Sequence, residues 1–235
     1  MSPPFHYGCA EQQGNHQEVL EDIYNLRYQV YINETSFEAP GDHPVGLESD
    51  VYDTHAVHFY ARCRAEAKVI GTVRTILDSR LGFPIERHFQ LTNQPGGFER
   101  HRVGEISRLA VSKKFRRRAI DHALFEPGPF VPNRLPRYPD DDRFRRHYEH
   151  KLVRGLYLMI YRDSKQRGLT HWYAVMAKGL YAILRRWGIV FEQIGPAREY
   201  HGLRAPYFVS IEAVEQTLAQ ENPQLLHEAR AGLLQ

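Results

Sequence analysis

Two β-rich runs separated by a short polar segment constrain the fold of this chain more than any other feature. They cover residues 55–63 and 69–77. Strands joined by so short a connection pair as an antiparallel hairpin. A third β-rich run, residues 104–111, ends at the basic segment 113–118, which reads KKFRRR. We therefore expect a β-sheet that begins with antiparallel strands.

Helical and irregular segments surround these strands. Residues 18–31 repeat apolar side chains at the spacing of one helix face. Residues 33–53 are rich in Pro, Gly, Asp and Glu, which predicts an irregular excursion over the surface. Residues 121–150 contain five prolines and an acidic triplet, which predicts an insertion with little regular structure.

The C-terminal half alternates helix and strand signals. We expect helices at residues 152–167, 180–187 and 214–233, and strands at residues 171–177, 190–194 and 207–211. Antiparallel strands joined to βαβ units imply a mixed sheet with helices packed on both faces. The predicted fold class is therefore α/β, with residues 1–235 forming one domain.

Composition excludes several classes of protein. Apolar residues make up 42% of the chain and charged residues 25%, which is typical of a folded globular protein. The formal net charge is only +3, so the basic character is local. The two cysteines, Cys9 and Cys63, form no CxxC pair, and no run of about 18 apolar residues or leader pattern is present. We expect a cytoplasmic protein without stable membrane insertion.

Charged residues recur in short motifs over most of the chain. The motifs are RYQVY (27–31), ESDVYD (48–53), GTVR (71–74), EISRLAVS (105–112) and IGPAREYHGLRAPY (194–207). Their order and spacing resemble the acyl-homoserine lactone synthases. They resemble more closely the long-chain N-acyl amino acid synthases and the acyltransferases associated with PEP-CTERM and exosortase systems. All of these are acyltransferases of the GNAT superfamily.

The resemblance implies a GNAT-like fold, with an acyl carrier protein or acyl-CoA as donor and the amine of an amino acid or similar small molecule as acceptor. No tightly bound cofactor is expected. The catalytic residues that the resemblance and the chemistry select are Glu105, Arg108 and Arg74. The expected substrate-binding residues are Arg27, Tyr31, Phe37, Asp50, Asp53 and His201. The expected donor-binding residues are Leu109, Ala110, Val111, Ser112, Phe115, Arg116, Arg117 and Arg118.

At three positions the sequence differs from the family patterns, and these differences narrow the expected substrates. Phe37 stands where the lactone synthases carry a tryptophan that holds S-adenosylmethionine, and a cation prefers the face of Trp to that of Phe. Leu184 occupies the position of the tyrosine acid of many GNAT enzymes, leaving Tyr181 as a weak substitute. The Gly-rich phosphate loop is replaced by FRRRAID. This basic segment could bind a phosphopantetheine arm and the acidic surface of its carrier protein. Alternatively, it is an ordinary basic turn exposed to solvent.

Physical chemistry gives the charged residues two interpretations. Buried charges persist only when they are paired, and three arginines with three acids can satisfy one another. Such a network can line a catalytic cleft or simply join the N-terminal helix and loop to the sheet. Strict alternation along residues 104–111 places Glu105 and Arg108 on opposite faces of the strand.

The predicted reaction is direct attack of an amine on the thioester carbonyl. An amine is protonated at neutral pH, so a base is required, and Glu105 is the candidate, acting through a water. A backbone N–H near residues 109–111 would stabilise the oxyanion. Arg108 or Arg27 could hold an acceptor carboxylate as a bidentate pair.

Several alternatives remain open at this point. An acetyl-CoA-dependent small-molecule N-acetyltransferase and a lactone-forming autoinducer synthase use the same superfamily fold. A nucleic-acid-binding protein is supported only by the KKFRRR segment, and no recognised nucleic-acid motif accompanies it. His147 and His150 are helically spaced, but no HExxH motif or Cys/His cluster predicts a metal site.

Overall fold

A mixed β-sheet organises the structure, a computed structural model that describes residues 5–63, 67–113 and 142–232. The strands are β1 (Phe5–Ala10), β2 (Ala56–Cys63), β3 (Val69–Leu77), β4 (Val103–Val111), β5 (His171–Met176), β6 (Glu192–Gln193), β7 (Arg198–Glu199) and β8 (Leu203–Ser210). Their order in the sheet is β1-β2-β3-β4-β5-β8-β6, with β7 paired to β8. The β4–β5 pair is parallel and the others are antiparallel.

Helices cover both faces of this sheet. They are α1 (Gln17–Tyr28), α2 (Pro84–His88), α3 (Asp142–Gln166), α4 (Lys178–Arg186), α5 (Ile211–Glu221) and α6 (Pro223–Ala231). A π-helical segment, Gln29–Glu34, continues α1. The predicted α/β class, with a mixed sheet flanked by helices, is confirmed.

Alternation along β2 shows how the two faces are divided. Val57 and Phe59 belong to the core that α3 covers, whereas His58 between them lies 5.6 Å from the Tyr24 ring of α1. Successive side chains of a strand point to opposite faces. Helices α1 and α3 therefore pack on opposite sides of the sheet, and the charged residues of the predicted site lie on the α1 side.

A gap between the ends of β4 and β5 opens the sheet. The two strands pair from Val103 to Ile106 on β4 and from His171 to Ala174 on β5. Farther along, β4 stays paired with β3, and β5 stays paired with β8. Over the described residues the facing edges of residues 107–111 and 175–176 are not paired with each other, so the sheet has an opening at its centre.

The N-terminal predictions agree with the structure more closely than the C-terminal ones. The hairpin and the strand at 104–111 are confirmed as β2, β3 and β4, and the predicted helix 18–31 corresponds to α1 with its π-helical continuation. The strand β1 and the short helix α2 were not predicted. Helix α3 begins at Asp142, so residues 142–150 of the predicted insertion are helical, and residues 121–141 lie outside the described residues.

The prediction of one helix over residues 214–233 is wrong. The structure has α5 and α6, which are separated at Asn222. Proline lacks a backbone N–H and disfavours helical geometry in the residue before it, so Pro223 ends α5 and begins α6. The side chain of Asn222 accepts a hydrogen bond from the Leu225 N–H and caps the second helix. The predicted strand 190–194 is reduced to Glu192–Gln193, and the strand predicted at 207–211 begins earlier, at Leu203.

We predict that Ser164→Ala destabilises the fold by about 1–3 kcal/mol, because it leaves a buried indole N–H without a partner. In the native protein, Trp172 Nε1 donates to Ser164 Oγ at 2.9 Å, and this bond joins β5 to α3. Urea unfolding measures the change in the free energy of unfolding. The control is Thr217→Ala, which removes an exposed hydroxyl and should change stability by less than about 0.5 kcal/mol. Equal effects of the two substitutions would contradict the prediction.

Candidate active site

A cavity of about 390 Å³ occupies the gap between β4 and β5. On the α1 side it is lined by charged and polar groups, namely Glu38, Asp50, Arg74, Glu105, Ser107 and Arg108. On the α3 side it is lined by Ile106, Tyr157, Ala174 and Met176, which belong to or border the main apolar core. We call these two parts the charged arm and the apolar arm. The cavity thus joins a polar environment to an apolar one through the opening in the sheet.

The charged arm is organised by a short turn in the ESDVYD motif. Asp50 caps the 3-10 turn Val51–His55 by accepting a hydrogen bond from the Tyr52 N–H at 2.9 Å. In return, Asp53 Oδ2 accepts from the Asp50 N–H at 2.8 Å. This reciprocal arrangement is a capping box. It fixes both carboxylates beside the guanidinium group of Arg74 on β3.

Asp53 lies between two buried arginines. Arg27 Nη1 of α1 lies 2.8 Å from Asp53 Oδ1, and Arg74 of β3 contacts the same oxygen. Arg27 and Arg74 are only 1% and 2% exposed, and Asp53 is fully buried. Burial alone would raise the pKa of Asp53, but the two guanidinium groups hold it well below its usual value. The aspartate is therefore charged and paired on two sides.

The network extends through Glu48 and Asp50 to a third arginine. Glu48 is fully buried and contacts both Arg27 and Arg108. Asp50 pairs with Arg74 at 2.6 Å and with Arg108 at 3.2 Å. Although burial opposes ionisation, the pKa values of Glu48 and Asp50 are lowered by these arginines. The predicted network of three arginines and three acids is present, with Glu48 as the third acid in place of Glu105.

His58 lies inside this network without carrying charge. Its Nε2 is 3.6 Å from Asp53 Oδ1, and both of its ring nitrogens lack a hydrogen-bond partner within the described structure. Burial lowers the pKa of His58 to about 4, and the neighbouring arginines Arg27 and Arg74 act in the same direction. The imidazole is therefore neutral near pH 7.

A β-bulge in β4 brings Arg108 into the cavity. Thr72 and Arg74, two residues apart on β3, pair with Ala110 and Ser107, which are three residues apart on β4. The extra residue breaks the alternation of side chains, and Arg108 adopts a positive φ of 53°. The prediction that Glu105 and Arg108 lie on opposite faces is therefore wrong: Arg108 contacts Glu48 and Asp50 on the α1 side, where Glu105 also lines the charged arm.

Glu105 lies in the cavity but outside the ion-pair network. It is 2% exposed, and its Oε2 accepts a hydrogen bond from the Ile85 N–H at 3.0 Å. No described residue forms an ion pair with it. Burial raises the pKa of Glu105 to about 8, against the lowering effect of the Ile85 N–H and of Arg74. The carboxyl group can therefore exchange a proton near neutral pH, which is the property required of a general acid or base.

Aromatic side chains form the rim of the charged arm. Phe37 stacks near Tyr31, with ring centroids 6.4 Å apart, and lies 5.7 Å from the His201 ring. Tyr31 donates a hydrogen bond to the Leu109 carbonyl at 2.8 Å, so the π-helical segment is bound to β4. His201 has a positive φ of 52° and lies 3.8 Å from Glu38. Left-handed backbone in residues other than glycine often marks functional sites.

The predicted site residues fall into three groups. The cavity is lined by Tyr31, Phe37, Asp50, Arg74, Glu105, Arg108, Leu109 and His201. Arg27, Asp53, Ala110, Val111 and Ser112 do not line it. Arg27 and Asp53 hold the lining residues from behind, and the Ser112 N–H already donates to the Ile70 carbonyl at 2.8 Å. Phe115, Arg116, Arg117 and Arg118 lie outside the described residues.

Several lining residues were missed by the sequence analysis. Glu38 bonds to Arg108 at 3.1 Å, and Ser107 Oγ accepts from Arg74 Nε at 3.1 Å. Ser107 lies within the EISR motif, which was a usable signal, whereas Glu38 is one acid in a loop rich in acids. Tyr157 gave no signal because it reads as an ordinary core residue of an amphipathic helix. Among the described residues, no group of three His, Cys, Asp or Glu side chains could hold a metal ion.

A protein-family match covers the elements that build the charged arm. Residues 26–126 match the model of the family described as "Acetyltransferase (GNAT) domain". Together with the mixed sheet described above, this match shows that the chain has a GNAT-like fold. The match begins beside Arg27 and includes Glu48, Asp53, Arg74 and the whole of β4. No curated protein matches the sequence.

Solved structures share the fold of this chain at low sequence identity. The acyl-homoserine lactone synthase LasI superposes with a TM-score of 0.60 at 16% identity, covering 88% of this chain and 89% of LasI. MesI, a CoA-dependent acyl-homoserine lactone synthase, gives 0.59 at 17% identity, covering 92% and 95%. FeeM, an N-acyl amino acid synthase from uncultured soil microbes, gives 0.50 at 14% identity, covering 94% and 99%. The similarity extends over nearly the whole of each chain.

We predict that Asp53→Asn destabilises the protein by about 3–5 kcal/mol, because two buried guanidinium groups lose their shared counter-charge. The matched control is Asp22→Asn. It breaks the exposed Arg62 pair of 3.0 Å and should cost less than about 1 kcal/mol. Chemical denaturation of both variants measures the difference. Equal losses would show that the buried network does not hold the fold together.

The same variant gives a pH signature. The pKa of Asp53 is lower in the folded protein than the usual 3.8, so its stabilising effect is present above that value and is lost as the pH falls. The wild-type protein should therefore lose stability on acidification more steeply than Asp53→Asn, which denaturation over a range of acidic pH measures. Parallel stability curves would contradict the assignment.

Proposed function

We propose that this acyltransferase moves a fatty acyl group from an acyl carrier protein or acyl-CoA to the amine of an amino acid or a similar small molecule. The observation that carries the proposal is the two-part cavity. Its apolar arm suits the acyl chain and its charged arm suits a polar amine. The opening between β4 and β5 is then where the thioester carbonyl meets the amine.

Glu105 is the proposed base for the reaction. The acceptor ammonium must lose a proton before nitrogen attacks the thioester carbon, and the carboxylate of Glu105 receives that proton through a water. The amine nitrogen then forms the C–N bond to give a tetrahedral intermediate, which collapses as the C–S bond breaks. The ammonium gives up two protons in becoming an amide nitrogen: one neutralises the departing thiolate, and the other leaves through Glu105 to solvent. Because no described arginine forms an ion pair with Glu105, its basicity is not reduced by such a pair, as that of Glu48 and Asp50 is.

The edge of β4 provides the proposed oxyanion site. Pairing with β5 ends at Ile106, so an N–H on this edge between Ser107 and Val111 has no partner on β5. Such a group can donate to the oxygen of the tetrahedral intermediate. The bulge at Arg108 turns the backbone at this same point.

The acceptor is proposed to lie between the aromatic rim and the charged arm. Arg27 is not available for an acceptor carboxylate, since it is buried and paired with Glu48 and Asp53. Arg108 is 19% exposed and lines the cavity, so it is the arginine that we propose for this contact. Glu38 and Asp50, both partly exposed, would attract the ammonium group.

The cellular setting is also a proposal. The two cysteines are free thiols, which agrees with a reducing compartment such as the cytoplasm. Within the described chain, no helix has the length and apolarity to cross a bilayer. The motif resemblance supports a role beside PEP-CTERM and exosortase systems, and carrier-protein docking by the KKFRRR segment belongs to the same proposal.

We predict that the protein forms N-acyl products from a long-chain acyl carrier protein or acyl-CoA and a pool of amino acids. Mass spectrometry of the products identifies both the chain and the acceptor. Acetyl-CoA, the donor of the alternative N-acetyltransferase function, is supplied in competition. Exclusive acetyl transfer would contradict the fatty acyl proposal, and a lactone product formed from S-adenosylmethionine would favour the autoinducer synthases.

We predict that Glu105→Gln lowers kcat/KM by about 10²-fold or more, the usual contribution of a positioned base. Wild-type activity should rise with pH through about 8, because the pKa of Glu105 is raised to about 8 and the charged form is the base. Glu99→Gln, a change at an exposed acid, is the control and should leave the profile unchanged. Full activity of Glu105→Gln would refute the assignment.

The same substitution has a readout that needs no substrate. A carboxyl group whose pKa rises from 4.5 to about 8 on folding destabilises the native state progressively as the pH rises through that window. The wild-type protein should therefore lose stability relative to Glu105→Gln between pH 4.5 and about 8. Denaturation at several pH values measures this difference, and a difference independent of pH would contradict the raised pKa.

A further inference from the structure

Tyr157 separates the active-site cavity from a second, smaller cavity. The second cavity has a volume of about 20 Å³ and lies between α3, β5, α5 and α6, where Trp172, Leu218, Leu225 and Ala229 line it. Tyr157 lines both spaces, and in the described structure no other residue does so. Its ring therefore forms the wall between the apolar arm and the cavity behind it.

The Tyr157 ring is buried in the wall between the two cavities. The side chain is 4% exposed and belongs to the main apolar core. Burial is also the sole cause that raises the pKa of Tyr157. Side chains in a close-packed interior have little freedom to move aside, so the ring is a fixed part of the cavity wall.

We propose that Tyr157 is a specificity-determining residue that limits the length of the acyl chain. This inference rests on the proposed function. A saturated chain that enters the apolar arm past Ile106 and Ala174 meets the Tyr157 ring, and the second cavity is closed to it. Protein interiors are close-packed, so an additional methylene at this point has no space unless the ring is removed.

The central test replaces the ring and measures the donor profile. Tyr157→Leu and Tyr157→Ala should shift the preference toward longer saturated donors. Relative to the wild-type optimum, kcat/KM for the next longer donor should rise about tenfold or more, since one methylene in an apolar pocket changes discrimination by about 10–200-fold. Tyr157→Phe keeps the ring and should retain the wild-type profile. Thermal unfolding identifies variants that retain the fold. If the alanine variant is unstable, the leucine variant, which leaves a smaller void, still tests the proposal.

A second substitution tests the direction of the shift. Ala229 lines the second cavity, so adding Ala229→Met to Tyr157→Ala should refill the space and restore the preference for shorter donors. Folded Tyr157→Leu and Tyr157→Ala variants with the wild-type profile would overturn the proposal. A changed profile in Tyr157→Phe would overturn it as well, because the hydroxyl and not the ring would then decide selection.

Binding separates this inference from the proposed function. Ligands that bind the native state raise the unfolding temperature, so a series of acyl-CoA molecules of increasing length reports chain preference without turnover. If no amine is acylated but this stabilisation profile shifts in Tyr157→Leu, the proposed reaction fails and the role of Tyr157 stands. If amines are acylated and neither profile shifts, the reaction stands and the role of Tyr157 fails.

Discussion

The contact of one carboxylate, Asp53, with two buried guanidinium groups is the interaction on which the rest of the structure depends. Among the described residues, Arg27 and Arg74 are two of the largest fully buried side chains. Charged groups in the core are destabilising unless they are paired and hydrogen-bonded. Asp53 lies in the loop after α1 and pairs with Arg27 of α1 and Arg74 of β3. One carboxylate therefore joins a helix, a loop and a strand. The wall of the cavity can form only when these three elements meet.

The same interaction divides the acids of the site into two chemical types. Glu48 and Asp50 share arginines and remain ionised, so they act as fixed charges. Glu105 is equally buried, and among the described residues its one hydrogen-bond donor is the Ile85 N–H, so burial raises its pKa. One group of carboxylates thus holds the structure, while a separate carboxyl group is free to exchange protons. This separation lets a network that stabilises the fold lie beside a reactive group.

The opening in the sheet connects these charges to the core. Because β4 follows β3 while β5 follows β8, the two central strands diverge after Ile106 and Ala174. The bulge then directs Arg108 to the side of Glu105. A cavity that passes from one face of a sheet to the other can hold a polar acceptor on one side and an acyl chain on the other. The length of its apolar arm is limited by the packing of Tyr157.

The sequence could predict the features that depend on residues close together in the chain. The antiparallel hairpin, the α1 helix and the β4 strand follow from side-chain periodicity, and the recurrence of arginines and acids in the motifs identified most of the cavity lining. Features without a clear periodic signal were missed or misjudged. One of them is the missing N–H of Pro223, which ends a helix. Apolar periodicity continues across Asn222 and Pro223, so two helices were taken for one. The edge strand β1 mixes exposed and buried positions, so no clear alternation marks it.

By itself, the sequence determined the fold class and the set of charged residues that must find partners, because side-chain periodicity and the cost of buried charge are properties of the residues themselves. The tertiary structure alone decided which acid belongs to which arginine. Glu48, and not Glu105, completes the network because the loop after α1 brings Glu48 between Arg27 and Arg108. It also decided that Arg108 faces the cavity, since a bulge arises from the register between β3 and β4. Tyr157 became part of the site for the same reason: α3 packs against a sheet whose centre is open.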